Sequence, residues 1–160
     1  MAGRVIVIGG GAAGLLAAGT AAERGAEVVL LEKNDILAKK IRISGKGRCN
    51  ITNAVSIKDF IPHYPGNGKF LYSALTRFTN QDLLTLLARY GINTKVERGQ
   101  RVFPESDDAH QVAETLAGFA KDRGVVFRMN SKAVKLCASD GQIEGVETST
   151  GYYDANRVII

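Results

Sequence analysis

The 160-residue chain has no tryptophan, two cysteines, two histidines and three prolines. Cys49 and Cys137 cannot build a disulfide framework, and neither lies in a C-x-x-C pair, so a reduced compartment is the simpler expectation. No apolar run approaches the roughly 18 residues of a membrane span. The apolar run near the start, Val5–Ile8, has four residues and meets glycines at once, unlike a signal peptide, so a cytoplasmic protein is expected. Eighteen glycines without a three-residue period and with little proline exclude collagen-like and disordered chains. His63 and His110 have no ligand-type neighbours at metal-binding spacing, and no Ser/His/Asp or Cys/His/Asn set suggests itself. Basic residues gather in Lys39–Arg48 without interleaved aromatics, which argues against a single-strand stacking platform and makes a nucleic-acid partner unlikely.

With 45% hydrophobic and 23% charged residues, the composition is that of a globular domain. A chain of this length buries roughly 70% of its unfolded surface, enough for a real core. The net charge of +5 reads either as a solvated surface or as attraction for a phosphate-bearing ligand.

The pattern of elements is α/β. Arg4–Ile8 and Glu27–Glu32 read as strands buried on both faces, and Val125–Met129 as a third. Helices are expected over Ala12–Arg24, Lys69–Phe78 and Gln81–Tyr90, and from a Ser106/Asp107 cap to about Arg123. Asp107-Asp108 reads as helix N-terminal charge. The Leu83–Leu87 cluster reads as core. Asn34–Ile57 is expected to be mostly loop, and Ile92–Glu97 with Arg101–Phe103 a hairpin. Ala133–Ala138, Ile143–Thr148 and Tyr152–Asp154 form a three-stranded antiparallel meander, and Arg157–Ile160 opens another strand. A chain stopping inside a strand suggests a truncated, N-terminal piece of a longer protein.

Gly9-Gly10-Gly11-Ala12-Ala13-Gly14 is a G-x-G-x-x-G turn between a buried strand and a helix. Gly9 permits the tight turn, Gly11 lets backbone approach a pyrophosphate, and Gly14 lets the helix pack on the strand. The free N–H groups of about Ala12 to Gly14 and the helix dipole favour a diphosphate. Glu32 follows Gly14 by 18 residues, near the expected interval of about 20, and can accept both hydroxyls of an adenosine ribose. An acid there also argues against a 2′-phosphate. The turn does not distinguish NAD from FAD, since both carry ADP. The downstream order favours FAD: a nicotinamide domain reaches its third strand after about 30 residues, whereas about 90 separate Glu32 from Val125 and a meander follows.

Two further stretches carry a resemblance: Lys40-Ile-Arg-Ile-Ser44-Gly45-Lys46-Gly47-Arg48-Cys49-Asn50-Ile-Thr52-Asn53 and Gly99-Gln-Arg101-Val-Phe103-Pro104-Glu-Ser106-Asp107. With the glycine turn, they resemble the bacterial NAD(P)/FAD-dependent oxidoreductases of the BaiN/RdsA-like group, also called aminoacetone oxidase-like flavoproteins. The resemblance covers nearly the whole chain. It departs at Ala38, where that pattern usually has glycine, and at Lys46, where it often does. It implies a glutathione-reductase-like FAD-binding Rossmann domain, with a later domain insert and a C-terminal segment completing the FAD site. The remainder of the protein's own polypeptide is thus an expected partner.

A flavin-dependent oxidoreductase acting on a small molecule is expected, with FAD bound and NAD(P)H as a possible donor. Expected cofactor-binding residues are Gly9, Gly11, Ala12, Ala13, Gly14, Glu32, Lys33, Lys40, Ser44, Gly45, Gly47, Arg48, Cys49, Asn50 and Ala133. Ser44, Gly45 and Gly47 offer backbone N–H groups, and Lys40 and Arg48 positive charge, to the pyrophosphate or flavin. The Cys49 thiol itself reads as packed rather than redox-active. Ala133 lies where such proteins hold adenine through main-chain groups. An NAD-dependent dehydrogenase and a non-catalytic dinucleotide-binding module are the alternatives.

Overall fold

The computed structural model describes residues 3–160. Met1 and Ala2, part of the N-terminal stretch read above, lie outside the described residues. In chain order the elements are β1 (Arg4–Ile8), α1 (Ala12–Glu23), β2 (Glu27–Leu31), α2 (Lys39–Ile43), β3 (Thr52–Asn53), α3 (Ile57–Phe60), α4 (Tyr72–Arg77), α5 (Asn80–Arg89), β4 (Thr94–Glu97), β5 (Arg101–Pro104), α6 (Ala109–Lys121), β6 (Val126–Arg128), β7 (Ala133–Ser139), β8 (Gln142–Thr148), β9 (Gly151–Asp154) and β10 (Arg157–Ile159). They form two compact units, one of residues 1–41 with 116–160 and one of residues 42–115.

The first unit is built on a parallel sheet of order β10-β1-β2-β6. Val and Ile dominate β1 and β2, whose in-register pairing runs from Arg4↔Glu27 to Ile8↔Leu31. Side chains alternate between the two faces. On one face Ile6, Val29 and Leu31 pack with Val146 and Ala155, and Ile8, Ala133, Tyr153 and Val158 complete that core. The meander β7-β8-β9 supplies much of this layer. On the other face lies α1, which buries Leu15, Ala18 and Gly19. The α/β class, the parallel sheet and the three-stranded antiparallel meander are all as the sequence predicts. The third strand differs from expectation. β6 is three residues at the sheet edge with alternating exposure, so it is not buried on both faces.

Gly19 fixes the approach of α1 to the C-terminal end of α6. A Cβ there would lie 2.2 Å from Phe119 Cε1. The Phe119 ring is buried, and the Arg123 guanidinium stacks over it at 3.9 Å.

The second unit contains a sheet of order β3-β5-β4. The β4–β5 hairpin forms as predicted, pairing Val96 with Val102. β3 lies in a stretch that the sequence pattern predicts as loop. Its two residues pair with Val102 and Arg101, about fifty positions further on, a partnership no local pattern announces. Helix α5 starts with a reciprocal capping box between Thr79 and Asp82, and Leu87 on its inner face is fully buried. The expected cap of α6 shifts by one residue: Asp108 accepts the His110 N–H at 2.8 Å, while Asp107 turns to cations described below. Among the described residues no helix is long and apolar enough to cross a membrane.

Gly19→Ala is expected to destabilise the protein by about 1–3 kcal/mol through overpacking against Phe119. Urea denaturation of the full-length protein measures this, and adding Phe119→Leu is expected to restore part of the loss.

Candidate functional site

The glycine turn is locked through both backbone groups of one residue. The Gly10 N–H donates to Glu32 Oε2 at 2.7 Å, and the Gly10 carbonyl accepts the Ala38 N–H at 2.7 Å. Gly9 has φ +103°, a left-handed backbone that glycine adopts without strain. A Cβ on Gly14 would sit 1.9 Å from the Gly9 carbonyl oxygen, so the first turn of α1 needs a residue without one. Gly11 is different. Its φ of −81° suits any residue, and a Cβ there would meet nothing within 4 Å.

Gly11 is also the N-cap of α1, with no side-chain cap and no acid in the first turn. The first α-helical bond runs from the Leu15 N–H to the Gly11 carbonyl at 2.9 Å. The N–H groups at the helix tip therefore precede the internal ladder and face the positive end of the helix dipole.

Glu32 follows β2 and is only 7% exposed. Its main chain holds the end of β6 and the segment after it: the Glu32 N–H donates to the Arg128 carbonyl at 2.9 Å, and its carbonyl accepts the Ser131 N–H at 2.8 Å. Its Oε1 accepts the Asn34 N–H at 2.8 Å and the Asn34 side-chain amide at 2.5 Å. An ionised carboxylate offers about four acceptor positions. Three are filled, so the side chain has one left for a sugar hydroxyl. Gripping two hydroxyls requires the Asn34 amide to swing away, which corrects the expectation of a ready bidentate contact.

These parts enclose an open cleft of about 540 Å³. Gly9, Gly11, Ala12, Glu32, Lys33, Lys40 and Ala133, all expected from the sequence, line it together. Ala13 and Gly14 follow in the first turn of α1 and are not among its lining residues. Asn34, Lys39, Ser131 and Lys132 also line it and were not among the expected residues. Four exposed lysines, Lys33, Lys39, Lys40 and Lys132, thus surround one buried carboxylate. That electrostatic pattern suits a diphosphate with a sugar beside it.

The remaining expected residues belong to the second unit. Ser44–Gly47 form a 3₁₀ turn in which Gly45 and Lys46 are left-handed, at φ +56° and +59°. The Cys49 N–H closes the turn onto the Ser44 carbonyl at 3.0 Å. Gly47 and Cys49 are left-handed as well, and Asn50 is exposed. The Cys49 side chain is buried. Burial pushes its thiol above the usual range, against a smaller opposing effect of a hydrogen bond with Ser44. The buried side chain agrees with the packed reading of Cys49. Ala38 and Lys46, where the resemblance implies glycine, both fall at left-handed positions, φ +56° and +59°, a conformation glycine adopts without strain.

Arg48 is engaged within its own unit. Its guanidinium binds Glu97 and Asp107, the latter at 2.8 Å, and lies 4.4 Å from the centre of the Phe103 ring. Lys95 Nζ meets the other oxygen of Asp107 at 2.6 Å. Two cations and two carboxylates balance, so the positive charge expected of Arg48 is used to fasten the Ser44–Asn50 turn to β4 and to the segment before α6. Hydrogen bonds from Lys95 and Arg48 hold the Asp107 carboxyl below its ordinary value of 3.8. Among the described residues, no group of three or more His, Cys, Asp or Glu is placed to hold a metal ion.

The fold and the cleft define a Rossmann-type domain with a glycine turn at the head of its first helix. The chain belongs to the HI0933-like protein Rossmann domain family, whose pattern it matches over residues 3–160. It is 32% identical over 136 residues to the ribosomal RNA dihydrouridine synthase of Escherichia coli K12, covering 84% of this chain and 33% of that protein. It is 37% identical over 115 residues to the 3-dehydro-bile acid delta(4,6)-reductase of Clostridium scindens, covering 71% of this chain and 27% of that protein. The chain therefore spans about a third of the length of these relatives. Among solved structures, the 3-ketosteroid-delta4-(5alpha)-dehydrogenase of Rhodococcus jostii shares the fold, with a TM-score of 0.72 at 16% identity over 98% of this chain and 44% of that one.

Asp107→Asn is expected to lower stability at neutral pH. Asparagine keeps the shape and tolerates the left-handed backbone of position 107 (φ +54°). The folded carboxyl lies below its unfolded value, so its contribution is present above pH 3.8 and is lost as pH falls through the lower folded value. Thermal unfolding across pH should show the gap between wild type and variant closing only below that value.

Proposed function

We propose that the cleft of the first unit holds the ADP half of FAD, within a flavin-dependent reductase that saturates a C=C bond conjugated to a carbonyl. The observation that carries the cofactor assignment is Gly11. Its backbone angle is ordinary and no atom crowds its missing Cβ, so packing does not call for glycine there, and as an N-cap glycine is no better than serine or asparagine. A close-lying ligand does call for it.

The residues present fit the group. The N–H groups of Ala12 and Ala13 meet the pyrophosphate at an uncapped helix tip, and Lys33 and Lys40 supply neighbouring charge, assisted by Lys39 and Lys132. Glu32 takes a ribose hydroxyl at its remaining acceptor position. The segment Ser131–Ala133 offers main-chain groups to the adenine. The buried carboxylate also repels a 2′-phosphate. The Ser44–Asn50 turn, with Gly45, Gly47, Cys49 and Asn50 held by Arg48, is assigned to the flavin end. When bound, FAD supplies hydride transfer, with NAD(P)H as the donor that reduces it.

The substrate class draws on the two relatives. One name describes formation of dihydrouridine and the other a delta(4,6)-reductase of a 3-dehydro compound, and both denote saturation of a C=C bond. The shared chemistry is reduction of an unsaturated carbonyl system, on a small molecule or on a base.

In the full-length protein, Gly11→Ala is expected to weaken FAD retention at least tenfold while changing the stability of the FAD-free form by less than about 1 kcal/mol. Flavin absorbance after gel filtration and thermal unfolding read the two effects. Unchanged FAD retention in this variant would contradict the assignment.

A further inference from the structure

Glu32 and Asn34 line the same cleft of the first unit. The Asn34 main chain is held at both of its polar groups. Its N–H donates to Glu32 Oε1 at 2.8 Å, and its carbonyl accepts the Asn130 N–H at 3.0 Å. The side chain is the part that can turn, and it rests on the same Glu32 oxygen at 2.5 Å. A carboxylate only accepts, so the contacting atom is the amide nitrogen, Nδ2. The Gly10 N–H takes a position on the other oxygen at 2.7 Å.

The amide occupies the acceptor position that a second sugar hydroxyl would need. Amide and hydroxyl are both neutral donors to one charged acceptor, and their bonds to it are of similar strength. A hydroxyl that displaces the amide therefore forms one charge-assisted bond while another is lost. The amide regains water as the hydroxyl gives it up, so the exchange adds almost nothing to affinity. A hydroxyl at the position left open displaces only water, and it keeps the ordinary gain of a hydrogen bond to a charged group. The two hydroxyls of a ribose are thus unequal at this carboxylate.

We propose that Asn34 determines the sugar specificity of the cleft by acting through Glu32. Its amide stands in for one ribose hydroxyl, so the site recognises a sugar by a single hydroxyl and accepts a monodeoxy nucleotide nearly as well as the ribose form. This role rests on the assignment of the cleft to the ADP half of the cofactor. Asn34→Ala removes the amide and keeps both main-chain bonds. Position 34 is not left-handed, so alanine fits its backbone. The vacated acceptor position then fills with water, and the second hydroxyl gains affinity by displacing it.

The test titrates the full-length protein, freed of FAD, with ADP, 2′-deoxy-ADP, 3′-deoxy-ADP and 2′,3′-dideoxy-ADP, with affinities read by calorimetry. In wild type the better of the two monodeoxy nucleotides is expected to bind within about threefold of ADP, and the dideoxy nucleotide at least about fivefold more weakly. In Asn34→Ala, ADP is expected to bind at least as tightly as in wild type, and each monodeoxy nucleotide at least about fivefold more weakly than ADP. A merely structural role for Asn34 would weaken all four nucleotides alike and leave their ratios unchanged. Unchanged ratios in Asn34→Ala, weaker ADP binding in that variant, a wild type that loses more than about threefold with both monodeoxy nucleotides, or dideoxy binding equal to that of ADP would each overturn the proposal. A wild type that binds no ADP overturns the assignment of the cleft as well, whereas ADP binding with unchanged ratios overturns the role of Asn34 alone.

Discussion

The short hydrogen bond from the Gly10 N–H to the Glu32 carboxylate holds the site of the first unit together. Through its side chain Glu32 ties the end of β2 to the glycine turn. Through its main chain it ties the same point to Arg128 at the end of β6 and to Ser131 beyond it. One residue thus fixes three walls of the cleft, and Ala133 is placed by the last of them. A buried carboxylate is tolerated because its hydrogen bonds replace the water it loses. The same residue that shapes the site therefore also gives it one negative group among four lysines. Its partial saturation by Asn34 leaves a specific acceptor position instead of a general negative patch.

The two units handle charge in different ways. Among the described residues lining the cleft, Glu32 is the one carboxylate beside four lysines, and α1 starts there without a side-chain cap. Around the Ser44–Asn50 turn, positive charge is neutralised locally. Arg48 and Lys95 are matched by Glu97 and Asp107, and Phe103 lies under the guanidinium. Such half-exposed pairs add little stability singly. Their effect is geometric, since they hold a run of left-handed residues in one shape.

Much of this was legible in the sequence. The apolar runs Arg4–Ile8 and Glu27–Leu31, the glycine turn between them and the acid at position 32 carry their own spacing rules, and the cleft assembles from them. The meander was legible because its strands are separated by compact polar turns. What escaped depends on distant partners. β3 exists only because Thr52 and Asn53 pair with a strand some fifty residues later. Arg48 reads as a free cation until Glu97 and Asp107 are brought to it. The shift of the α6 cap from Asp107 to Asp108 follows from the same ion pairs. The left-handed backbones of Ala38 and Lys46 are hidden because neither residue type marks that conformation.

The most direct test of the account is a crystal structure of the full-length protein with FAD bound. The account predicts the pyrophosphate within hydrogen-bond reach of the Ala12 and Ala13 N–H groups and an adenosine ribose hydroxyl on Glu32. An ADP moiety seated away from the tip of α1, or a Glu32 carboxylate that contacts only Gly10 and Asn34 in the complex, would contradict it.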